Sequence, residues 1–206
     1  MDQTKEHLAN LSEIRSLMER SSRFISLSGL SGVFAGCFAL LGAIAAYYYL
    51  PTNYFKFSDP YVSFHNTGHI IFIICDALSV LTLALGTGIF FTIRQAKRKG
   101  QKVWDQTSQR LLINVAIPLV TGGLFSLSLL YSAPALVAPA TLVFYGLSLV
   151  NGSKFTLNDV RYLGYTEIAL GLISTLYLGY GLFFWSVGFG VMHIVYGIVM
   201  YFKYDK

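Results

Sequence analysis

Long apolar runs constrain this chain more than any other feature. Stretches of eighteen or more residues, poor in charge, recur from Ile25 to Phe202. Each is long enough to cross a hydrocarbon layer roughly 30 Å thick. Soluble domains carry charge on about a quarter of their residues, whereas here 12% are charged and 54% are apolar. Unpaired backbone is prohibitively costly in lipid, so each span is read as a helix. The expected fold is all-α, a polytopic six-helix transmembrane bundle.

The six spans run Ile25–Leu50, Gly68–Ile93, Leu111–Tyr131, Ala135–Val150, Val160–Phe184 and Trp185–Phe202. Pro51 ends the first, and Ser132-Ala133-Pro134 and Asn151-Gly152-Ser153-Lys154 make turns. The break between the last two, placed at Leu182–Trp185, has the weakest turn signal. Ahead of the transmembrane domain, 25–206, residues 1–24 place Leu8, Leu11, Ile14 and Met18 at three- and four-residue steps among charges. That pattern predicts a short amphipathic helix on the membrane surface or against a partner. Acidic residues precede the first apolar run, which excludes a secretory signal.

Orientation follows from the basic residues. Six spans put fourteen of the fifteen lysines and arginines on one side, leaving Lys56 opposite. The positive-inside rule then makes both termini cytoplasmic, in a plasma membrane (the inner membrane of a bacterium). The net charge of +5 is thereby explained by topology, and no nucleic-acid partner is expected. Cys37 and Cys75 both fall inside apolar runs and imply no disulfide.

Two ionisable groups, Glu167 and His193, fall deep inside the last two spans. At 1.5 Å per residue they lie roughly 12 and 15 Å from the cytoplasmic side, close to one level. Gly164, Glu167, Gly171 and Ser174 share one helical face, and Ser186, Gly190, His193 and Gly197 share another. Two small-residue faces suit a close antiparallel pair in which Glu167 meets His193. A charge inside the membrane costs several kcal/mol unless it is paired, neutralised or wetted. The pair is therefore a candidate for binding a proton or substrate, with a structural hydrogen bond as the plain alternative.

His65, His69, Asp76 and Ser79 form a second polar stripe, with both histidines at the outer mouth and Asp76 about 10 Å deeper. Histidines four apart can ligate a metal, but the Glu and context of a metallohydrolase motif are missing. His193 lies too deep to complete a site with His69, so neither a metal nor a haem is expected. Asn114 in the third span could add a hydrogen bond to either stripe. Neither a nucleotide-binding loop nor a nucleophile elbow is present, and no cofactor is expected.

Small residues and prolines add three expectations. Gly32 and Gly36 let another helix approach closely, either within the chain or from a second copy. Pro118 and Pro139 should kink the third and fourth spans. Gly86-Thr-Gly-Ile-Phe-Phe91 and Gly179-Tyr-Gly-Leu-Phe-Phe184 follow Asp76 and Glu167 at similar distances, which would suit a 3+3 inverted repeat.

Tyr165-Thr-Glu-Ile-Ala-Leu-Gly171 and Gly188-Phe-Gly-Val-Met-His-Ile-Val-Tyr-Gly197 resemble a group of small bacterial six-helix membrane proteins with no assigned activity. The resemblance covers about a fifth of the chain and implies the fold but no reaction. Three function classes remain: a small transporter or channel-like protein using the buried pair; a sensor or assembly protein acting through the basic loop and amino-terminal helix; and a membrane-embedded enzyme using Glu167 and His193 on a lipid or quinone. Surrounding lipid is the one partner every class requires.

Overall fold

In the computed structural model, residues 28–50, 67–100 and 103–205 are described, apart from the side chain of Tyr131. All-α architecture is observed, with α1 Gly29–Tyr49, α2 Thr67–Arg98, α3 Gln106–Ser132, α4 Val137–Gly152 and α5 Asp159–Leu176. The last helix, α6 (181–205), is continuous but changes its winding. It opens as α-helix over Gly181–Trp185, widens to a π-helix at Ser186–Met192, and returns to α-helix over His193–Met200. A second π-turn, Tyr201–Asp205, ends it. Five of these six helices are long and apolar enough to cross a membrane. The sixth, α5, is more polar, carrying Asp159 and Arg161 as well as Glu167.

Local sequence explains the helix ends. Asp105 starts α3 with a capping box: its Oδ1 accepts the Ser108 amide at 2.7 Å, and the Ser108 Oγ accepts the Asp105 amide at 2.9 Å. Pro134 opens a short 3₁₀ turn into α4, as the Ser-Ala-Pro turn predicts. Gly100, at φ 64°, turns the chain after α2. Pro118 lies inside α3, whereas Pro139 falls in the first turn of α4. A proline there costs little, so the expected kink in the fourth span has no basis.

The fifth helix ends earlier than its hydropathy suggests. α5 stops at Leu176, and a 3₁₀ turn over Leu178–Tyr180 leads directly into α6. The break therefore lies at 177–180, not at Leu182–Trp185. Gly179–Phe184 spans that turn and the start of α6, while Gly86–Phe91 lies well inside α2. The two hexapeptides are not at equivalent positions, which removes the observation behind an inverted repeat.

Two groups of three helices make up the bundle. In one, α1 packs between α2 and α6; in the other, α4 packs between α3 and α5. Small residues set the spacing in both, since a glycine face lets backbones approach where large side chains would hold them apart. A Cβ on Gly32 would sit 3.1 Å from the Cα of Gly197 and 3.3 Å from the His193 carbonyl. Gly146 and Gly164 bring α4 against α5 so closely that a Cβ on either would reach the other's carbonyl at 2.6 and 2.8 Å. The approach of Gly32 and Gly36 is thus made within the chain, to α6. Large apolar side chains such as Leu41, Leu85, Ile117, Leu124 and Phe183 point outward, as they do on helices solvated by lipid.

Polar contacts gather the basic ends of the helices on one side. The Asp205 carboxylate accepts from Ser28 Oγ at 2.8 Å, the Gly29 amide at 2.9 Å and Gln95 Nε2 at 3.0 Å. One side chain of α6 thereby caps the start of α1 and holds the end of α2. Asp159 at the start of α5 takes Lys203 Nζ at 3.0 Å and the Tyr204 hydroxyl at 2.5 Å. Residues 1–24 and 51–66, with Lys56 and His65 among the latter, lie outside the described residues.

Candidate functional site

Glu167 and His193 meet. Glu167 lies eight residues from the start of α5 and nine from its end, and His193 lies twelve from either end of α6. Both groups are thus at the middle of their helices. Glu167 Oε1 is 3.5 Å from His193 Nδ1. The two side chains are almost completely buried, with Glu167 at 0% exposure and His193 at 6%.

The route to that contact differs from the expected one. Gly164 and Gly171 face α4, not α6, and the glycines of α6 at 190 and 197 face α1. Glu167 and His193 meet where the two three-helix groups adjoin. A π-segment, Ser186–Met192, immediately precedes His193. Gly188, inside that segment, gives the carboxyl group its room: a Cβ there would collide with Glu167 Oε2 and with Leu142.

A third side chain, Tyr145 of α4, completes the cluster, and the sequence reading missed it. Its hydroxyl is 2.7 Å from His193 Nε2. On the other side of the ring, His193 Nδ1 is 3.0 Å from the Gly188 carbonyl oxygen. A carbonyl only accepts, so Nδ1 carries a proton, and in the neutral ring Nε2 accepts from the Tyr145 hydroxyl. Aromatic neighbours hold the imidazole in place. Phe189 stacks on it at 5.9 Å and 18°, and Tyr145 lies 5.3 Å away. One signal could have found Tyr145: tyrosines concentrate at membrane interfaces, yet this one is eight residues into α4 and seven from its end.

Among the described residues neither oxygen of Glu167 has a hydrogen-bond partner, and the same holds for the buried Ser174 Oγ on the same face. Buried polar groups are usually hydrogen-bonded, because leaving one unsatisfied costs about 1–3 kcal/mol or more. The site therefore holds an acid with unused capacity beside an imidazole whose two nitrogens are engaged. It can store a proton, pass one, or accept a polar ligand.

Other candidate residues lie elsewhere. Asp76 faces α1, where a Cβ on Gly42 would come within 3.2 and 3.3 Å of its oxygens. Ser79 bonds back to the Cys75 carbonyl at 2.7 Å, within its own helix. Asn114 is near the basic end of α3, where its carbonyl and side-chain oxygens accept from Asn151 Nδ2 at 2.9 and 3.2 Å. It supports the α3–α4 contact and joins neither polar stripe. His69, in the first turn of α2, meets Tyr49 edge-on at 6.1 Å. No three His, Cys, Asp or Glu side chains come together as a metal site among the described residues.

Comparison with protein-family models, curated proteins and solved structures finds no match to this chain. What the sequence and structure together establish is a helical, multi-pass membrane protein with a buried Glu167–His193 pair, and no family is identified for it.

Proposed function

We propose that this protein carries out a proton-linked step inside the membrane and that the step serves transport, as in a small transporter or channel-like protein. One observation carries the reading: a fully buried carboxyl group, without a hydrogen bond among the described residues, stands 3.5 Å from an imidazole at the middle of two helices. Intramembrane acids and histidines that face a bundle interior mark proton relays and ion pathways. The pair also lies between two helix groups, where a change in its charge would alter how they pack. Cytoplasmic placement of the basic helix ends, by the positive-inside rule, belongs to the same proposal.

The test is proton flux into vesicles containing the purified protein and an internal pH dye, under an imposed pH gradient. The reading expects flux above that of empty vesicles, abolished by Glu167→Gln. Flux equal to empty vesicles, or unchanged by the substitution, contradicts it.

A further inference from the structure

We infer that the joined basic ends of α2 and α3 hold the headgroup of an anionic phospholipid, so that one corner of this protein selects its lipid. The inference is independent of the proton-linked reading of Glu167. Cationic side chains on the basic side fall into two sets. Lys203 meets the Asp159 carboxylate, Lys154 the Asn151 side-chain oxygen, Arg161 the Ser153 hydroxyl and Lys99 the Tyr204 carbonyl. Arg94, Lys97, Arg98 and Arg110 are exposed instead, and no hydrogen bond or ion pair engages their side chains among the described residues.

Three of the four share one face of the last turns of α2. Arg94, Lys97 and Arg98 are three and four residues apart, a spacing at which like charges crowd one another. Gln95 and Ala96, on the opposite face, are buried, and Gln95 bonds Asp205, so the cations are turned away from the bundle. The only carboxylate between Arg94 and Arg110 is Asp105, and it is committed to the capping box of α3. Depth also fits a headgroup. α2 has 32 residues, about 48 Å of helix, against a hydrocarbon core roughly 30 Å thick. A helix that enters the core near Thr67 carries Arg94–Arg98 into the headgroup layer. Trp104, 67% exposed, stands in the same connection, and tryptophan favours that layer. Toward the bilayer centre, Leu85 and Ile89 of α2 and Ile113 and Ile117 of α3 are exposed, an apolar surface for acyl chains. An acidic soluble partner would meet the charges and leave that surface unused, so the combination fits a lipid.

Trp104 can report on its own neighbourhood. In the Trp185→Phe protein it is the single tryptophan, and brominated acyl chains quench its fluorescence on contact. The protein is placed in phosphatidylcholine nanodiscs that contain a minor fraction of brominated phosphatidylglycerol or, in parallel, of brominated phosphatidylcholine. The anionic lipid should associate at Trp104 at least about fivefold more strongly, the equivalent of the ~1 kcal/mol that a single Lys or Arg contributes near an anionic surface. Arg94→Gln, Lys97→Gln and Arg98→Gln together should remove that preference, and high salt should weaken it. Equal quenching by the two lipids overturns the inference, as does a preference that survives the triple substitution. Loss of the preference in millimolar inorganic phosphate at constant ionic strength would assign the patch to a soluble phosphate and overturn it as well. Should Trp185→Phe not fold, native mass spectrometry of the wild-type chain decides. Phosphatidylglycerol should stay bound where phosphatidylcholine leaves, and should leave the triple variant; equal retention of both lipids contradicts the inference.

Discussion

Gly188 shows how much one absent side chain can determine. Glu167 Oε2 and Leu142 occupy the space a Cβ would need, so Gly188→Ala should overpack the centre of the molecule. Such insertions cost about 1–3 kcal/mol, read as lower thermal stability in detergent. Part of the loss should disappear in the Glu167→Ala background, where the clash with the carboxyl is gone; an equal loss in both backgrounds would show that Leu142 alone takes the strain. At this scale the sequence was partly legible. Glu167 and His193 stood out because charge is rare in apolar spans. Tyr145 did not, because fourteen tyrosines populate the chain and most suit an interface belt. Nothing in the composition of 186–192 marked the π-winding that precedes His193.

The helix ends on the basic side carry a separate expectation. Burial alone would raise the Asp159 carboxyl, but hydrogen bonds from Tyr204 and Lys203 outweigh it and leave the group below the ordinary carboxylate value. A folded value below the unfolded one stabilises the protein above the unfolded value, and the contribution is lost as pH falls through the depressed folded value. Thermal stability should therefore decline as the solution becomes acidic below the ordinary carboxylate range, and Asp159→Asn should flatten that decline. Lys203 is largely exposed, so the effect is small, under about 1 kcal/mol. An Asp159→Asn profile identical to wild type would remove this contact from the account. Helix existence was legible from apolar length, and the Ser132–Pro134 turn from its proline. The α5–α6 break was not, because Tyr177-Leu-Gly-Tyr180 contains neither a charged residue nor a proline.

For the whole molecule, six helices with the basic ends of α2, α3, α5 and α6, and Lys154 just after α4, on one side predict the labelling pattern. An impermeant thiol reagent applied to intact cells should reach a cysteine at Asn53 and miss one at Gly100; labelling at Gly100 reverses the orientation. Which helices pack together was less legible. The glycine stripes of α5 and α6 were visible, but a stripe does not name its partner, and each found a different helix. The two three-helix groups meet at Glu167, His193 and Tyr145, so a direct interaction there couples the halves of the protein. A double-mutant cycle measures it, with Glu167→Gln, His193→Gln and the double variant compared by thermal stability in detergent. Removing one member of a buried pair costs on the order of 3–5 kcal/mol, and interacting residues show losses that do not add. The account predicts that the double variant loses clearly less than the two singles combined. Strictly additive losses would contradict it.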